Sequence, residues 1–266
     1  MALPIKFKAA VKSRLDDVAL ANKMKETKKK PSKLNNKNPI DIIEMIRKDV
    51  EEYLGKHKSE YRIIIDQKEL EDYIELANEF GFISIDTETL GLNPMIHGIV
   101  GLCLYFPGQK AVYVPMNHVD YFSGNRIEEQ LTSEQVKLAL EKLTAKVIMH
   151  NAQFDIRVIK HSVGIILKCW WDTLQGAILL DENELHGLKY LHETYLSGEK
   201  EKTFKEFFGN MLFANVPIDL AYIYATHDAV ITYDLFEYQF NMFKVDDPNA
   251  SEDDKNMYWL FRNIEM

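Results

Sequence analysis

Short apolar runs bounded by glycine, proline and polar residues alternate with segments of helical periodicity along most of this chain. Runs rich in β-branched and aromatic residues predict strands, because such residues pack well on a pleated surface. We predict strands at residues 61–65, 81–86, 99–106, 111–115, 146–149 and 169–171. The three strands between residues 81 and 115 are expected to form an antiparallel meander, and residues 146–149 a parallel strand. The predicted mixed sheet has five strands, which are those from residue 81 onward; the strand at residues 61–65 is not counted among them.

Apolar positions that recur every three or four residues predict helices between and after the strands. We expect these helices at residues 39–54, 66–80, 132–143, 152–163 and 173–180, and through most of 186–242 with a loop near 197–203. Capping signals mark two of the starts, because Asn38 precedes Pro39 and Asp66 precedes Glu69 by one turn. This order of strands and helices indicates an α/β fold in which helices flank a mixed sheet.

Charge divides the chain into a basic beginning and an acidic body. Residues 1–40 carry 11 Lys and Arg against 3 Asp and Glu, whereas the remaining residues carry 21 against 38. Residues 5–20 are compatible with a short amphipathic helix, and residues 22–38 with a disordered linker that either contacts phosphates or is solvated. We therefore expect a basic N-terminal extension (1–38), a helical lead-in (39–60), a main domain (61–242) and a connector (243–266).

Composition excludes several classes of protein. No run of about 18 apolar residues is present, so a transmembrane helix is not expected, and the first residues lack the apolar stretch of a secretory signal. The two cysteines, Cys103 and Cys169, cannot form a metal site alone and fit a reducing compartment. We therefore expect a cytoplasmic protein that does not bind membranes.

A pair of carboxylates closes the strand predicted at residues 81–86. Residues two apart on a strand point to the same face, so Asp86 and Glu88 project together while Thr87 faces away. Two adjacent carboxylates repel each other, and a divalent cation between them relieves that repulsion. The pair is therefore a candidate site for Mg²⁺ or Mn²⁺. The alternative is a polar strand exit with solvated acidic side chains.

Two further motifs with an aspartate follow later in the chain. Asn151 comes directly after the strand predicted at 146–149, where it is a natural helix N-cap, and Asp155 lies one turn further on. Tyr224 and Asp228 are one turn apart in the last long helix and share a face. Taken singly, the first motif is better explained by a helix cap with an exposed aspartate. The second is better explained by a core tyrosine with a surface aspartate.

Taken together and in this order, the three motifs resemble the DEDD superfamily of 3′→5′ exonucleases. Tyr224 indicates the tyrosine subtype, because the histidine subtype would carry His where this chain has Ile223. The segments IDTETLGLNP, VPMNH, HNAQFD, WDTLQGAILL and YATHDAVITYDLF resemble the proofreading domain of family A DNA polymerases. The resemblance runs from about residue 61 to the end of the chain and implies an RNase H-like fold.

This resemblance implies a role for each residue of the motifs. Four metal-binding carboxylates and the tyrosine that orients the attacking water correspond to Asp86, Glu88, Asp155, Asp228 and Tyr224. The implied substrate contacts are Thr89, Leu92, Asn151 and Phe204. Of these, Leu92 matches an apolar wedge between the terminal bases, and Phe204 an aromatic residue against the terminal nucleotide. His150 and His227 depart from the family, which tends to have Gln and Glu there.

The implied reaction is hydrolysis at a single-stranded DNA 3′ end, with two divalent ions, Mg²⁺ or Mn²⁺, as cofactors. A single-stranded end is needed, because the apolar and aromatic side chains stack on unpaired bases. An RNA-processing relative of the RNase D type is an alternative, since one contact to a 2′-OH decides the sugar preference. A module that binds primer ends without catalysis is a second alternative, although all of the chemical residues are present.

The end of the chain, residues 258–266, resembles the hinge helix that leads into the polymerase domain of family A enzymes. We therefore expect a polymerase domain as partner, either in the same protein or in a split partner chain. The basic extension stands where a five-prime nuclease would otherwise precede the proofreading domain. Together with a composition rich in Lys, Asn and Ile, this extension favours a phage polymerase.

Overall fold

A computed structural model describes residues 39–245 and 247–263 of the protein. These residues contain a six-stranded mixed sheet. Its strands are β1 (Tyr61–Ile63), β2 (Phe82–Thr89), β3 (Ile99–Tyr105), β4 (Ala111–Pro115), β5 (Lys146–Met149) and β6 (Cys169–Asp172). They lie in the order β1-β4-β3-β2-β5-β6. The meander of β2, β3 and β4 is antiparallel, while β5 and β6 run parallel to β2. The predicted α/β, RNase H-like class is thereby confirmed.

The prediction of five strands was wrong by one strand. The additional strand is β1, which pairs in parallel with β4 at the edge of the sheet, with Tyr61 opposite Ala111. The contact continues at Ile64, whose amide donates to the Tyr113 carbonyl at 2.9 Å. Apolar and polar positions in residues 61–65 do not alternate regularly, so the sequence there carries no register of its own.

The helices begin close to the predicted positions. They are α1 (Pro39–Leu54), α2 (Gln67–Phe80), α3 (Ser133–Leu140), α4 (Ala152–Val163), α5 (Thr173–Leu180), α6 (Leu188–His192), α7 (Phe204–Phe208), α8 (Ile218–Met242) and α9 (Glu252–Asn263). Shorter helical turns occupy Gly55–Glu60, Glu193–Ser197 and Phe213–Asn215. The cap predicted at α2 is present, since Asp66 accepts the Glu69 amide at 2.9 Å. At the start of α3, Thr132 forms a capping box with Gln135.

The two faces of β2 pack against different helices. Ile83 and Ile85 belong to a core that includes Val158 and Ile159 of α4. Side chains of β2 that alternate with them face the long helix α8, which packs across β2, β3 and β4. Most of α8 is buried, as expected for a helix that is apolar on nearly all sides. The end of β2 is thus enclosed between α4 and α8.

Helix α9 packs against β6 through aromatic side chains. The ring of Phe261 lies 4.2 Å from that of Trp171, and both residues are buried. Arg262 lies over the Trp170 ring at 5.1 Å. Part of the predicted connector, residues 243–266, therefore belongs to the same core as the sheet. Among the described residues, no helix is both long enough and apolar enough to cross a membrane.

The chain divides into two units, residues 1–45 and 46–266, and the six strands found among the described residues lie in the second unit. Several predictions fall outside the described residues. They are the amphipathic helix at residues 5–20, the linker at residues 22–38, the Asn38 cap, and the final residues 264–266.

Candidate active site

The face of β2 that carries Asp86 and Glu88 is turned toward helix α8. Ser84 donates a hydrogen bond from Oγ to the Ala229 carbonyl of α8 at 2.7 Å. Because side chains two apart share a strand face, Asp86 and Glu88 follow Ser84 on that face. Asp228 directly precedes Ala229, and its charge acts on both Asp86 and Glu88. Two of the three predicted motifs therefore meet between β2 and α8.

Asp155 reaches the same place from α4, on the other side of the sheet. It lies in the first turn of α4, is only 3% exposed, and accepts a hydrogen bond from Thr87 Oγ1 at 2.5 Å. Burial raises the pKa of Asp155 to about 7, although the Thr87 hydrogen bond opposes that shift. Thr87, which faces away from Asp86 and Glu88, thus holds the third predicted carboxylate.

The carboxylates raise one another's affinity for protons. The pKa of Asp86 is raised well above its ordinary value, first by burial and then by the charges of Asp155, Glu88 and Asp228. The pKa of Glu88 is also raised, first by burial and then by the charge of Asp228. Effects of this kind require that the carboxylates lie within electrostatic range of one another. The site therefore concentrates negative charge at the end of β2.

A lysine that sequence analysis did not single out lies within this acidic site. Lys189 of α6 places Nζ 3.0 Å from Asp228 Oδ1 and 4.2 Å from the centre of the Tyr224 ring. Its positive charge opposes the rise in the pKa of Asp86 and of Glu88. Lys189 therefore neutralises part of the negative charge that the carboxylates bring together.

Tyr224 is held by a group of phenylalanine rings and is only 5% exposed. Its ring lies 5.5–5.9 Å from the rings of three α7 residues, Phe204, Phe207 and Phe208. Burial raises the pKa of the Tyr224 phenol, and the charges of Asp228, Glu88 and Asp86 raise it further. The hydroxyl is therefore protonated at neutral pH and is available as a hydrogen-bond donor.

The sheet beside Glu88 is closely packed. Gly101 pairs with Glu88 across β2 and β3, and a Cβ at Gly101 would collide with the Tyr113 ring. The Tyr113 hydroxyl contacts His118 Nε2 at 2.6 Å, and His118 Nδ1 lies 3.0 Å from the Val216 carbonyl. Because Gly101 has no side chain, the Tyr113 ring fits beside it and reaches His118. His118 in turn connects β4 to the segment that leads into α8.

The residues implied in substrate contacts lie at different depths around the site. Leu92 follows β2 and is 91% exposed, so its side chain is free to contact a ligand. Thr89 donates from Oγ1 to the Gly91 carbonyl at 2.9 Å, which orders the start of that loop. Phe204 is half-buried, and its ring lies 4.8 Å from that of Phe208.

The N-cap role predicted for Asn151 is wrong. Asn151 adopts a left-handed conformation (φ 64°, ψ 50°), and its side chain makes no capping hydrogen bond. The carboxylate of Asp172 instead accepts the amides of Asn151 and Ala152 at 2.9 Å, and also the Leu174 amide at 2.9 Å. Asparagine tolerates the left-handed conformation better than most residues do. In this conformation the Asn151 side chain is exposed to solvent.

Sequence reasoning missed Lys189, Asp172 and the contact of Thr87 with Asp155. Asp172 lies in the segment WDTLQGAILL, which carried the family resemblance but no assigned role. Lys189 belongs to none of the motifs. Its partners Asp228 and Tyr224 lie in a helix distant in sequence, so no local pattern indicated the contact.

The side chains of the acidic site fit a hard divalent cation. Carboxylate oxygens are the ligands that Mg²⁺ and Mn²⁺ prefer. The raised pKa values of Asp86, Glu88 and Asp155 reflect burial together with the repulsion that a divalent cation would relieve. The donor set is therefore suited to the divalent ions used by metal-dependent nucleases.

Comparison with known proteins shows which family this chain resembles. The family model described as 3′-5′ exonuclease, that of family A DNA polymerases, matches residues 61–242. The DNA polymerase I of Borreliella burgdorferi is 30% identical over 178 residues, which are 66% of this chain and 19% of that protein. The DNA polymerase I of Treponema pallidum is 27% identical over 254 residues, which cover 82% of this chain and 25% of that protein.

A solved structure supports the fold. The catalytic core of RRP6 from Trypanosoma brucei superposes with a TM-score of 0.51 at 11% identity, covering 76% of this chain and 50% of that chain. The chain spans about a fifth to a quarter of the length of the two curated relatives, 19% and 25%. Since the family model matches residues 61–242, which are most of the chain, the chain belongs to the 3′–5′ exonuclease family of family A DNA polymerases.

Proposed function

We propose that this protein is a metal-dependent exonuclease that removes nucleoside monophosphates from single-stranded or frayed DNA 3′ ends. The observation that carries the proposal is the mutual interaction of Asp86, Glu88, Asp155 and Asp228 at the end of β2. The biological role is proofreading, as part of a family A DNA polymerase. We propose that the protein acts in the cytoplasm of a bacterium or a phage-infected host, since the relatives named above are bacterial.

Two divalent ions, Mg²⁺ or Mn²⁺, are the cofactors of this reaction in our proposal. Asp86, Glu88 and Asp228 would hold one ion, and Asp86 together with Asp155 would hold the second. Such a pair, when bound, provides hydroxide at neutral pH and stabilises charge on the leaving oxygen. Thr87 supports this role, because its hydrogen bond keeps the Asp155 carboxylate in one orientation.

Tyr224 positions the attacking water. Its phenol is neutral and buried, and the α7 phenylalanine rings restrict its motion. The hydroxyl donates a hydrogen bond to the water, while the Glu88 carboxylate accepts one from it. Two contacts of this kind fix the direction of attack without any change in the protein during the reaction.

The substrate strand is held by Leu92, Phe204, Asn151 and Thr89 in this proposal. Leu92 is nearly fully exposed and wedges between the last two bases, while Phe204 packs on the terminal nucleotide. Asn151 offers an exposed carboxamide to the strand. A mismatched end frays more often than a paired one, so it enters such a site more often. The partner that supplies the primer end is a polymerase domain, in the same protein or in a split chain.

A nuclease assay with the full chain tests the proposal. Labelled single-stranded DNA is incubated with and without Mg²⁺ or Mn²⁺, beside matched duplex, mismatched duplex and single-stranded RNA. We expect stepwise release of mononucleotides from single-stranded DNA, loss of release in Asp86→Ala, and faster release from mismatched than from matched ends. Preference for RNA would instead support a processing role of the RNase D type. Metal-independent binding without cleavage would leave only a module that binds primer ends.

A further inference from the structure

Three side chains with metal-ligating atoms converge beside the acidic site but outside it. His192 Nδ1 lies 3.0 Å from Glu201 Oε1, and His227 Nε2 lies 3.3 Å from the same oxygen. The three ligand atoms all lie within 4.8 Å of one another. The side chains of His192, Glu201 and His227 are 12%, 11% and 8% exposed. The cluster is therefore largely shielded from solvent.

The three residues come from separate segments that tertiary packing brings together. His192 ends α6, Glu201 lies in the loop before α7, and His227 lies in α8. The Tyr61 hydroxyl contacts His227 Nδ1 at 3.0 Å, so the opposite ring nitrogen is directed to Glu201. Metal-ligating histidines are commonly oriented by such a contact to their second nitrogen. The His57 ring covers His227 at a centroid distance of 5.4 Å.

We infer that His192, Glu201 and His227 bind one transition-metal ion, for which Zn²⁺ is the natural probe. Two imidazole nitrogens and one carboxylate oxygen form a typical ligand set for Zn²⁺, whereas Mg²⁺ prefers oxygen ligands alone. Three protein ligands leave a fourth position for water or a nearby carboxylate. Asp234, further along α8, interacts electrostatically with both histidines and adds negative charge near the cluster.

This ion would act on the structure rather than on the reaction. It would tie α6, which carries Lys189, to α8, which carries Tyr224 and Asp228. It would also hold the loop that precedes α7, whose phenylalanine rings surround Tyr224. His227 is a position at which the chain departs from the family it resembles, so the cluster does not follow from that resemblance. The inference also does not depend on the proposed nuclease activity.

The competing explanation is a hydrogen-bonded network in which Glu201 accepts from both imidazoles without any metal. The two explanations differ in whether the folded protein retains an ion. The full chain is therefore dialysed against limiting Zn²⁺ in excess Mg²⁺, and its metal content is measured by mass spectrometry. Excess Mg²⁺ competes for the oxygen site of Asp86 and its neighbours, and Asp86→Ala disrupts that site, so Zn²⁺ retained by both proteins reports on the histidine cluster. Co²⁺ titration provides a visible absorption signal for nitrogen ligation.

We expect about one retained Zn²⁺ per chain in the wild type and in Asp86→Ala. His192→Gln and Glu201→Gln should weaken Zn²⁺ affinity by at least about 10–100-fold, and Tyr61→Phe by less, because it removes only the orienting contact. Zn²⁺ should raise the melting temperature of the wild type and have no such effect on Glu201→Gln. Circular dichroism verifies that each variant is folded, and Tyr61→Phe tests the site without removing a ligand.

The matched controls are His161→Gln and Glu182→Gln, which change exposed residues outside the cluster and should retain Zn²⁺. Absence of retained Zn²⁺ in the wild type would overturn the inference and leave the hydrogen-bonded network. Equal Zn²⁺ affinity in the wild type and in His192→Gln would overturn it as well, since the ion would then be bound elsewhere.

Discussion

Lys189 Nζ lies 3.0 Å from Asp228 Oδ1, so a cation of the protein itself contacts a carboxylate that we propose as a metal ligand. The two side chains are 20% and 16% exposed, which limits screening of their attraction by solvent. The same ammonium lies over the ring of Tyr224. An ion bound at Asp228 must therefore compete with Lys189 or share the carboxylate with it.

Replacing Lys189 by methionine should strengthen the binding of Mg²⁺ and Mn²⁺. An ion pair at this depth is worth about 1 kcal/mol, which corresponds to roughly five-fold in affinity. Calorimetric titration with Mn²⁺ measures the change, and Lys205→Met, at an exposed position of α7, serves as the control. Weaker Mn²⁺ binding by Lys189→Met would mean that the lysine supports the ion rather than competing with it.

Asp228→Asn should abolish nucleotide release and leave the fold intact. The change removes a metal ligand and relieves repulsion with Asp86 and Glu88, but it also leaves Lys189 without its partner. These effects on stability oppose each other, so the melting temperature should shift by only about 2–4 °C. Release of nucleotides with Mn²⁺ is the measurement, and Glu237→Gln, exposed on α8, is the control. Activity near that of the wild type would contradict the assignment.

Tyr224→Phe should slow hydrolysis and leave metal affinity unchanged. The hydroxyl orients water but is not a ligand in our proposal, and loss of one such hydrogen bond costs roughly 10–1000-fold in rate. Single-turnover kinetics at saturating Mg²⁺ measure the rate, and calorimetry measures the affinity. Tyr238→Phe, at a half-buried position of the same helix, should behave as the wild type. A loss of metal binding in Tyr224→Phe would assign this residue a different role.

Leu92→Ala should weaken binding of a single-stranded 3′ end without changing stability. The side chain is 91% exposed, so its loss removes no packing, whereas burying a leucine side chain between bases is worth up to about 3 kcal/mol. Fluorescence anisotropy with labelled DNA, in the Asp228→Asn background, measures binding at two salt concentrations. The acidic body repels the phosphate backbone, so weak binding is expected at both salt concentrations. Ile166→Ala, 68% exposed, is the control, and an equal effect of both changes would refute a specific role for Leu92.

His118 should make the stability of the protein fall as the pH is lowered. Burial lowers the pKa of His118 from 6.5 to about 4. Between these values the unfolded chain binds a proton that the folded chain does not, so the free energy of unfolding decreases as pH falls through this range. The full effect is about 3 kcal/mol.

Urea denaturation of the wild type and of His118→Gln, at a series of pH values from 7 to 4.5, tests this linkage. The variant lacks the titrating group, so the difference between the two proteins should shrink as the pH falls. His161→Gln, at an exposed position, should follow the wild type. Parallel pH profiles for the wild type and His118→Gln would refute the linkage.

The motifs that indicate catalysis can be recognised in the sequence because they depend on local geometry. The alternation along β2 brings Asp86 and Glu88 to one face of the strand whatever surrounds them. The one-turn spacing of Tyr224 and Asp228 likewise follows from helix geometry alone. The mixed α/β class also follows, because apolar periodicity is a property of neighbouring residues.

Contacts between distant segments were decided only by the tertiary structure. Three such contacts join elements far apart in the chain. They are the pairing of β1 with β4, the ion pair of Lys189 with Asp228, and the hydrogen bond from the Asn151 amide to Asp172. No local pattern encodes such a contact, since each residue alone is compatible with many partners. The cluster of His192, Glu201 and His227 arises in the same way, because it exists only once α6, the loop before α7 and α8 have packed against one another.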